Sequence, residues 1–254
     1  MRASLIATAF VLFGTSSKAG SLLGADLQYD QVEGLTWSFT VITYTDPFGP
    51  DDSPELLVTF DGGEVDTIPR ESQTEFSGDC FEQIMSDLYS WQHTFAGAGV
   101  YDLKAWKTGR VETMNLPGGM DNALCLSTEI HITAGLVNSS PVFGTPQRIS
   151  YYLDDMFVHD PQVSDPDGDS LVCWTVFPRG TDCLAILPSY DPEQSTPPGD
   201  STTVDHATDV FRWFHPNTTG IFTVVIGCVE SRDGVVIGQV TRDMTICIEE
   251  PSRV

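Results

Sequence analysis

Val163-Ser164-Asp165-Pro166-Asp167-Gly168-Asp169-Ser170-Leu171-Val172-Cys173 is an acidic turn that opens directly into a β-branched, apolar run. Pro166 fixes φ and removes a donor, and Gly168 permits φ > 0, so Asp-Pro-Asp-Gly-Asp reads as a tight turn. Ser170 to Phe177 is rich in Val, Leu, Trp and Cys and reads as a strand. The carboxylates of Asp165, Asp167 and Asp169 alternate along the turn and repel one another. Solvent, backbone N–H groups or a hard, oxygen-preferring cation must offset that repulsion. Two readings stay open: a solvated acidic turn without metal, and a Ca²⁺ site with Asp165, Asp167 and Asp169 as ligands. The spacing is not that of an EF-hand, which needs Gly sixth and Glu twelfth; counted from Asp165, Gly falls fourth and the twelfth residue is Val176.

Short strands of the same style fill the rest of the chain. Leu35, Trp37, Phe39 and Val41 alternate with Thr36, Ser38 and Thr40, a period-two pattern with one apolar face. Glu55 to Phe60 and Glu64 to Ile68 flank an Asp61-Gly62-Gly63 turn. Residues 70–86 read as irregular, with one helical turn near Cys80 to Ser86. Leu88 to Phe95, Val100 to Lys107 and Leu124 to Ile132 complete the first half as strands. Ala134 to Pro141 reads as a linker. In the second half Val210 to His215, Ile221 to Glu230 and Val235 to Glu249 read as strands, the last two joined through Arg232-Asp233-Gly234. Residues 188–209 read as a long exposed loop. With 22 Gly and 16 Pro in 254 residues and no long amphipathic helix, the expected fold is all-β: two tandem immunoglobulin-like β-sandwich domains after a signal peptide. The expected boundaries are 1–19 for the signal peptide, 20–136 for the first sandwich and 137–254 for the second.

Arg2, the apolar run Ala3 to Phe13 and the small residues of Ser17-Lys18-Ala19 form a secretory signal, with cleavage expected after Ala19. The apolar run is too short for a membrane span, so no membrane insertion is expected. A net charge of −24 sets the chain against nucleic acid and anionic membranes, where Lys and Arg must neutralise phosphate. Six cysteines without a Cys-x-x-Cys in an exported chain imply disulfides. If the halves are separate, Cys80–Cys125 is forced. The other four allow three pairings, of which Cys173–Cys183 across a turn and Cys228–Cys247 between neighbouring strands are favoured.

Local patterns bring resemblances. His93-Thr94-Phe95-Ala96-Gly97-Ala98-Gly99-Val100-Tyr101-Asp102-Leu103, with Phe60-Asp61-Gly62-Gly63 upstream, resembles a PKD-like immunoglobulin-type domain. Asn138-Ser139-Ser140-Pro141-Val142-Phe143 followed by the acidic turn resembles the opening of a cadherin-like domain. Thr43-Tyr44-Thr45-Asp46-Pro47, Asp66-Thr67-Ile68-Pro69-Arg70 and Arg232 to Gly238 with Val240 to Met244 are similar to secreted surface proteins of Bacteroidetes-type bacteria, of the gliding-motility-associated kind. The resemblance implies an extracellular or cell-surface location and a surface glycan or protein as partner.

No Gly-x-Ser-x-Gly, His-Glu-x-x-His or phosphate-binding loop occurs, so the expectation is a non-enzymatic protein. His93 and His131 fall within strands and read as structural. His159-Asp160, with Asp154-Asp155 before it, could approach the acidic turn, though solvated loop charges are the simpler reading. Of the five tryptophans, Trp37 reads as core, and Trp106 and Trp213 are the better candidates for exposure, with core packing the leading reading for each because strand aromatics fill sandwich interiors. The leading expectation is a secreted surface or adhesion module stabilised by calcium. The alternative is a carbohydrate-binding module.

Overall fold

The computed structural model describes residues 21–251, apart from 50–52, 78–79, 82, 119–121, 146, 148–149, 181–182, 197 and 199. The signal segment 1–19 lies outside the described residues. The protein is all-β: the described residues contain no helix. None is therefore long and apolar enough to cross a membrane. The first half provides β1 (Leu22–Glu33), β2 (Thr36–Thr45), β3 (Glu55–Phe60), β4 (Asp66–Pro69), β5 (Ser72–Phe76), β6 (Ile84–Thr94), β7 (Gly99–Lys107) and β8 (Leu124–Ile132). The second half provides β9 (Val142–Phe143), β10 (Ser150–Tyr152), β11 (Phe157–His159), β12 (Val163–Ser164), β13 (Ser170–Val176), β14 (Thr202–Val204), β15 (Phe211–Trp213), β16 (Gly220–Arg232) and β17 (Val235–Glu249).

The alternation read in β2 is the alternation that packs. Trp37, Phe39 and Val41 are buried, while Thr36, Ser38 and Thr40 are half-buried. β1 to β8 lie in the orders β1-β2-β6-β5 and β4-β3-β7-β8. These are the strand orders of the two sheets of an immunoglobulin-type sandwich. Aromatic rings meet between the sheets: Phe39 of β2 lies edge-on to Phe60 of β3 with centroids 5.4 Å apart. It also stacks on Trp91 of β6 at 5.3 Å.

β17 is the spine. Along one edge it pairs with β16 from Val235 to Ile248. Three strands in turn take its other pairings: β8 at Gly238, β1 at Arg242 and Asp243, and β10, in parallel, from Cys247 to Glu249. It therefore stands between β1 and β8, the edge strands of the two first-half sheets. The sequence boundary expected at 136/137 separates stretches that share one sheet, one hydrophobic cluster and two disulfides.

Buried ion pairs peg β17 in place. Arg242 donates to both oxygens of its register partner Asp26, at 2.6 and 2.8 Å, and its guanidinium lies 4.4 Å from the Phe143 ring centroid. Asp243 accepts from Arg110 at 2.9 Å, with a second, shorter bond to the same guanidinium. Burial pushes the Asp243 carboxyl up, and Arg110 acts against that.

The cysteines correct the expected pairing. The bridges are Cys80–Cys247, Cys125–Cys183 and Cys173–Cys228. The expected Cys80–Cys125, Cys173–Cys183 and Cys228–Cys247 assumed that each half oxidises by itself. Instead β17 carries Cys247 to Cys80, and the turn after β13 carries Cys183 to Cys125 on β8. Cys173 and Cys228 are register partners on β13 and β16. Three bridges with no free cysteine fit an oxidising, extracellular-type environment.

The described residues of 70–86 hold β5 and the start of β6, with no helical turn among them. β5 is almost wholly exposed and among the described strands pairs only with β6, so no apolar alternation marks it.

Candidate functional site

The acidic turn closes on its first carboxylate. Asp165 Oδ1 accepts the amide hydrogens of Asp167 and Asp169, both at 2.9 Å, and Gly168 takes φ 84°, which its missing Cβ allows. The turn then meets the chain that enters the second half. Ser139 N donates to Asp167 Oδ2 at 2.6 Å. On the other side Ser140 N donates to Tyr29 O at 2.7 Å, and Tyr29 N donates to Ser140 Oγ at 2.9 Å. The stretch read as a linker is therefore clamped between β1 and the turn.

Arg232, at the end of β16, ties these parts together. Its Nε and Nη2 donate to Asp169 at 2.6 and 2.5 Å, and its Nη1 donates to Val137 O at 3.0 Å. Nη2 also donates to Asn138 Oδ1 at 3.2 Å. Asp167 stands 3.9 Å from the same guanidinium.

Beneath this lies Glu230. The residues at 222, 224, 226, 228 and 230 of β16 all point into the core, and Glu230 is fully buried there. Its Oε1 accepts from Tyr29 Oη at 2.6 Å and from Asn138 Nδ2 at 2.7 Å. Among the described residues its Oε2 has no hydrogen-bond partner, and neither has the buried Oδ2 of Asp165. Asp165, Asp169 and Glu230 bring one oxygen each within 4.8 Å of one another. Burial raises the Glu230 carboxyl to about 8, and the Asp165 carboxylate beside it pushes the same way. Burial, with the nearby Glu230 charge, also pushes the Tyr29 hydroxyl well above its ordinary range. Gly238 faces this group: a Cβ there would collide with Tyr29 Oη and Glu230 Oε1.

Of the three aspartates read from the sequence, the fold brings Asp165 and Asp169 together and turns Asp167 outward to Ser139 and Arg232. It adds Glu230, which the sequence reading passed over. The signal was present, since a carboxylate at an inward position of an otherwise apolar strand needs a partner. His159, Asp160, Asp154 and Asp155 are not in the group. A second cluster, Cys80, Cys247 and Glu249, contains two cysteines already joined as a disulfide.

Two buried oxygens without donors within one carboxylate cluster are costly, and a proton or a hard cation would relieve that cost. The all-carboxylate donor set is of the kind that can hold a hard cation, with Asp165, Asp169 and Glu230 as the residues that would hold it.

The tryptophans are redistributed. Trp213, a candidate for exposure with core packing as its leading reading, is 2% exposed and packs edge-on against Phe222 at 4.9 Å. Trp106 is half-buried. Trp174, 38% exposed, is the tryptophan at the surface among the described residues. No protein-family model matches the chain, and no curated protein matches it.

Proposed function

We propose that the protein is an exported, non-enzymatic module that acts as an adhesive or spacing unit at the cell surface, steadied by Ca²⁺ at the acidic turn. The carrying observation is the pair of buried, donorless oxygens on Asp165 and Glu230. They sit where β1, the 137–140 segment, the acidic turn and β16 converge. A bound Ca²⁺ would supply positive charge to both oxygens and so fasten the turn onto β16. The protein's own residues prepare that place. Asp165 Oδ1 shapes the turn, Arg232 and Ser139 hold Asp169 and Asp167, and Tyr29 and Asn138 occupy Glu230 Oε1 and leave Oε2 uncommitted. This ligand set keeps Asp165 and Asp169, adds Glu230, and gives Asp167 a clamping role. The disulfide-braced all-β fold and the PKD-like and cadherin-like stretches of sequence favour a surface role.

The test is thermal unfolding in millimolar CaCl₂ and in EGTA. A ligand at a hundredfold excess over its Kd stabilises the folded state by about 2.7 kcal/mol. The expected result is a clear upward shift of Tm with calcium that Glu230→Gln and Asp165→Asn both abolish. An unchanged Tm in the wild-type protein removes the calcium from this reading.

A further inference from the structure

On the outer face of β13, β16, β17 and β8 one row of residues crosses four strands. Trp174 is the register partner of Gly227, and Gly227 that of Thr241. Thr241 Oγ1 donates to Ser127 O at 3.2 Å, on β8. This row floors a groove of about 290 Å³. Phe177, Arg179 and Ile186 form one wall, and the Gln239 side chain belongs to the lining as well. Phe177 is 49% exposed, so two aromatic rings border an open depression.

We propose that this groove binds glycan, with one uncharged pyranose ring of an oligosaccharide lying against Trp174 over Gly227. Three observations carry this. Gly227 leaves the floor beside the indole without a side chain, and a Cβ there would press on Val176 Cγ1 at 3.0 Å. A flat aromatic beside a bare floor suits the apolar face of a sugar ring, while Ser127 and Gln239 in the lining are residue types with hydroxyl and amide groups suited to its hydroxyls. In a chain of net charge −24, the described lining residues include no carboxylate and a single cation, Arg179. That lining matches a neutral ligand and not a basic one. Two of the three disulfides brace the place: Cys125–Cys183 pins the wall to β8, and Cys173–Cys228 joins β13 to β16 beside Trp174. The groove is therefore built before any ligand arrives, which lowers the cost of binding.

The inference names a partner class for the adhesive role proposed above and rests on that role, but not on the metal. The experiment is isothermal titration of the folded, oxidised protein with cellohexaose, xylohexaose, mannohexaose and chitohexaose, each in CaCl₂ and in EGTA. The expected result is saturable binding of at least one of the four, weakened about tenfold or more by Trp174→Ala, retained by Trp174→Phe, with Tm unchanged in both variants. No binding of any of the four, or binding indifferent to Trp174→Ala, overturns the proposal. So does a concentration-dependent dimer that Trp174→Ala dissolves, since the occupant would then be a second copy of the chain. A missing calcium shift with glycan binding intact strikes only the metal, and intact calcium stabilisation without glycan binding strikes only the groove.

Discussion

Tyr29 on β1 donates its hydroxyl hydrogen to Glu230 Oε1 on β16 at 2.6 Å, across 201 positions of sequence. The bond is buried and joins the first strand to the hairpin of the second half. Tyr29→Phe leaves Asn138 as the one remaining donor to that oxygen among the described residues. It should lower stability by about 1–3 kcal/mol, read as a lower urea midpoint with an unchanged m-value. Gly238→Ala, whose methyl would collide with the same two groups, should destabilise in the same assay. Wild-type midpoints in both variants would show that the contact contributes nothing.

The bridges make a second prediction. Non-reducing peptide mapping should recover Cys80–Cys247, Cys125–Cys183 and Cys173–Cys228. By loop closure, losing the bridge across 167 positions costs about 5 kcal/mol and losing the one across 55 costs about 4 kcal/mol. The double variant Cys80→Ser/Cys247→Ser should therefore unfold at a lower denaturant concentration than Cys173→Ser/Cys228→Ser. The reverse order would point to structure retained in the unfolded chain.

Much of this architecture was legible in local pattern. Trp37, Phe39 and Val41 marked an inward face, and Arg232-Asp233-Gly234 marked the hairpin turn, where Asp233 and Gly234 both take positive φ. Partners were not legible, because alternation says which way a side chain points and not which strand lies alongside. That is why three plausible cysteine pairings were all displaced once β17 took its place between β1 and β8. The site was half legible. Asp165 and Asp169 announced themselves through the turn, whereas Glu230 looked like the polar end of a strand until its inward register was counted from Phe222. Trp174 stood on a recognised strand, but its exposure depends on β13 bonding only to β16 among the described strands.

Asp243 is buried against Arg110, and the guanidinium also donates to Thr223 Oγ1 at 3.3 Å. Asp243→Asn removes one charge and strands the other. It should cost about 3–5 kcal/mol in chemical unfolding. The double variant Asp243→Leu/Arg110→Met, which removes both charges, should recover part of that loss. Equal losses in the single and double variants would argue against a charge-pair origin.

His93 stacks on Phe60 with ring centroids 3.9 Å apart, and burial holds its pKa below the usual 6.5. Between the folded value and 6.5 the unfolded chain binds more protons. The contribution of His93 is thus complete above 6.5 and shrinks as pH falls towards the folded value. Urea midpoints of wild type and His93→Gln should converge as pH falls from about 7 to about 5, within the range where histidine titrates. Parallel profiles would exclude His93 as a source of acid sensitivity.

The placement of β17 has a bearing on biogenesis. During synthesis, β1 to β8 emerge with two open edges, at β1 and β8, that among the described strands are joined by β17, more than a hundred residues downstream of β8. Closure must then be late and long-range, a slow route that leaves β-edges exposed to neighbouring chains in the meantime. An external oxidant can join the Cys80 and Cys247 thiols, taking up their two electrons, once that closure brings them together, so the order in which thiols disappear during refolding reports the moment at which the sandwich is sealed.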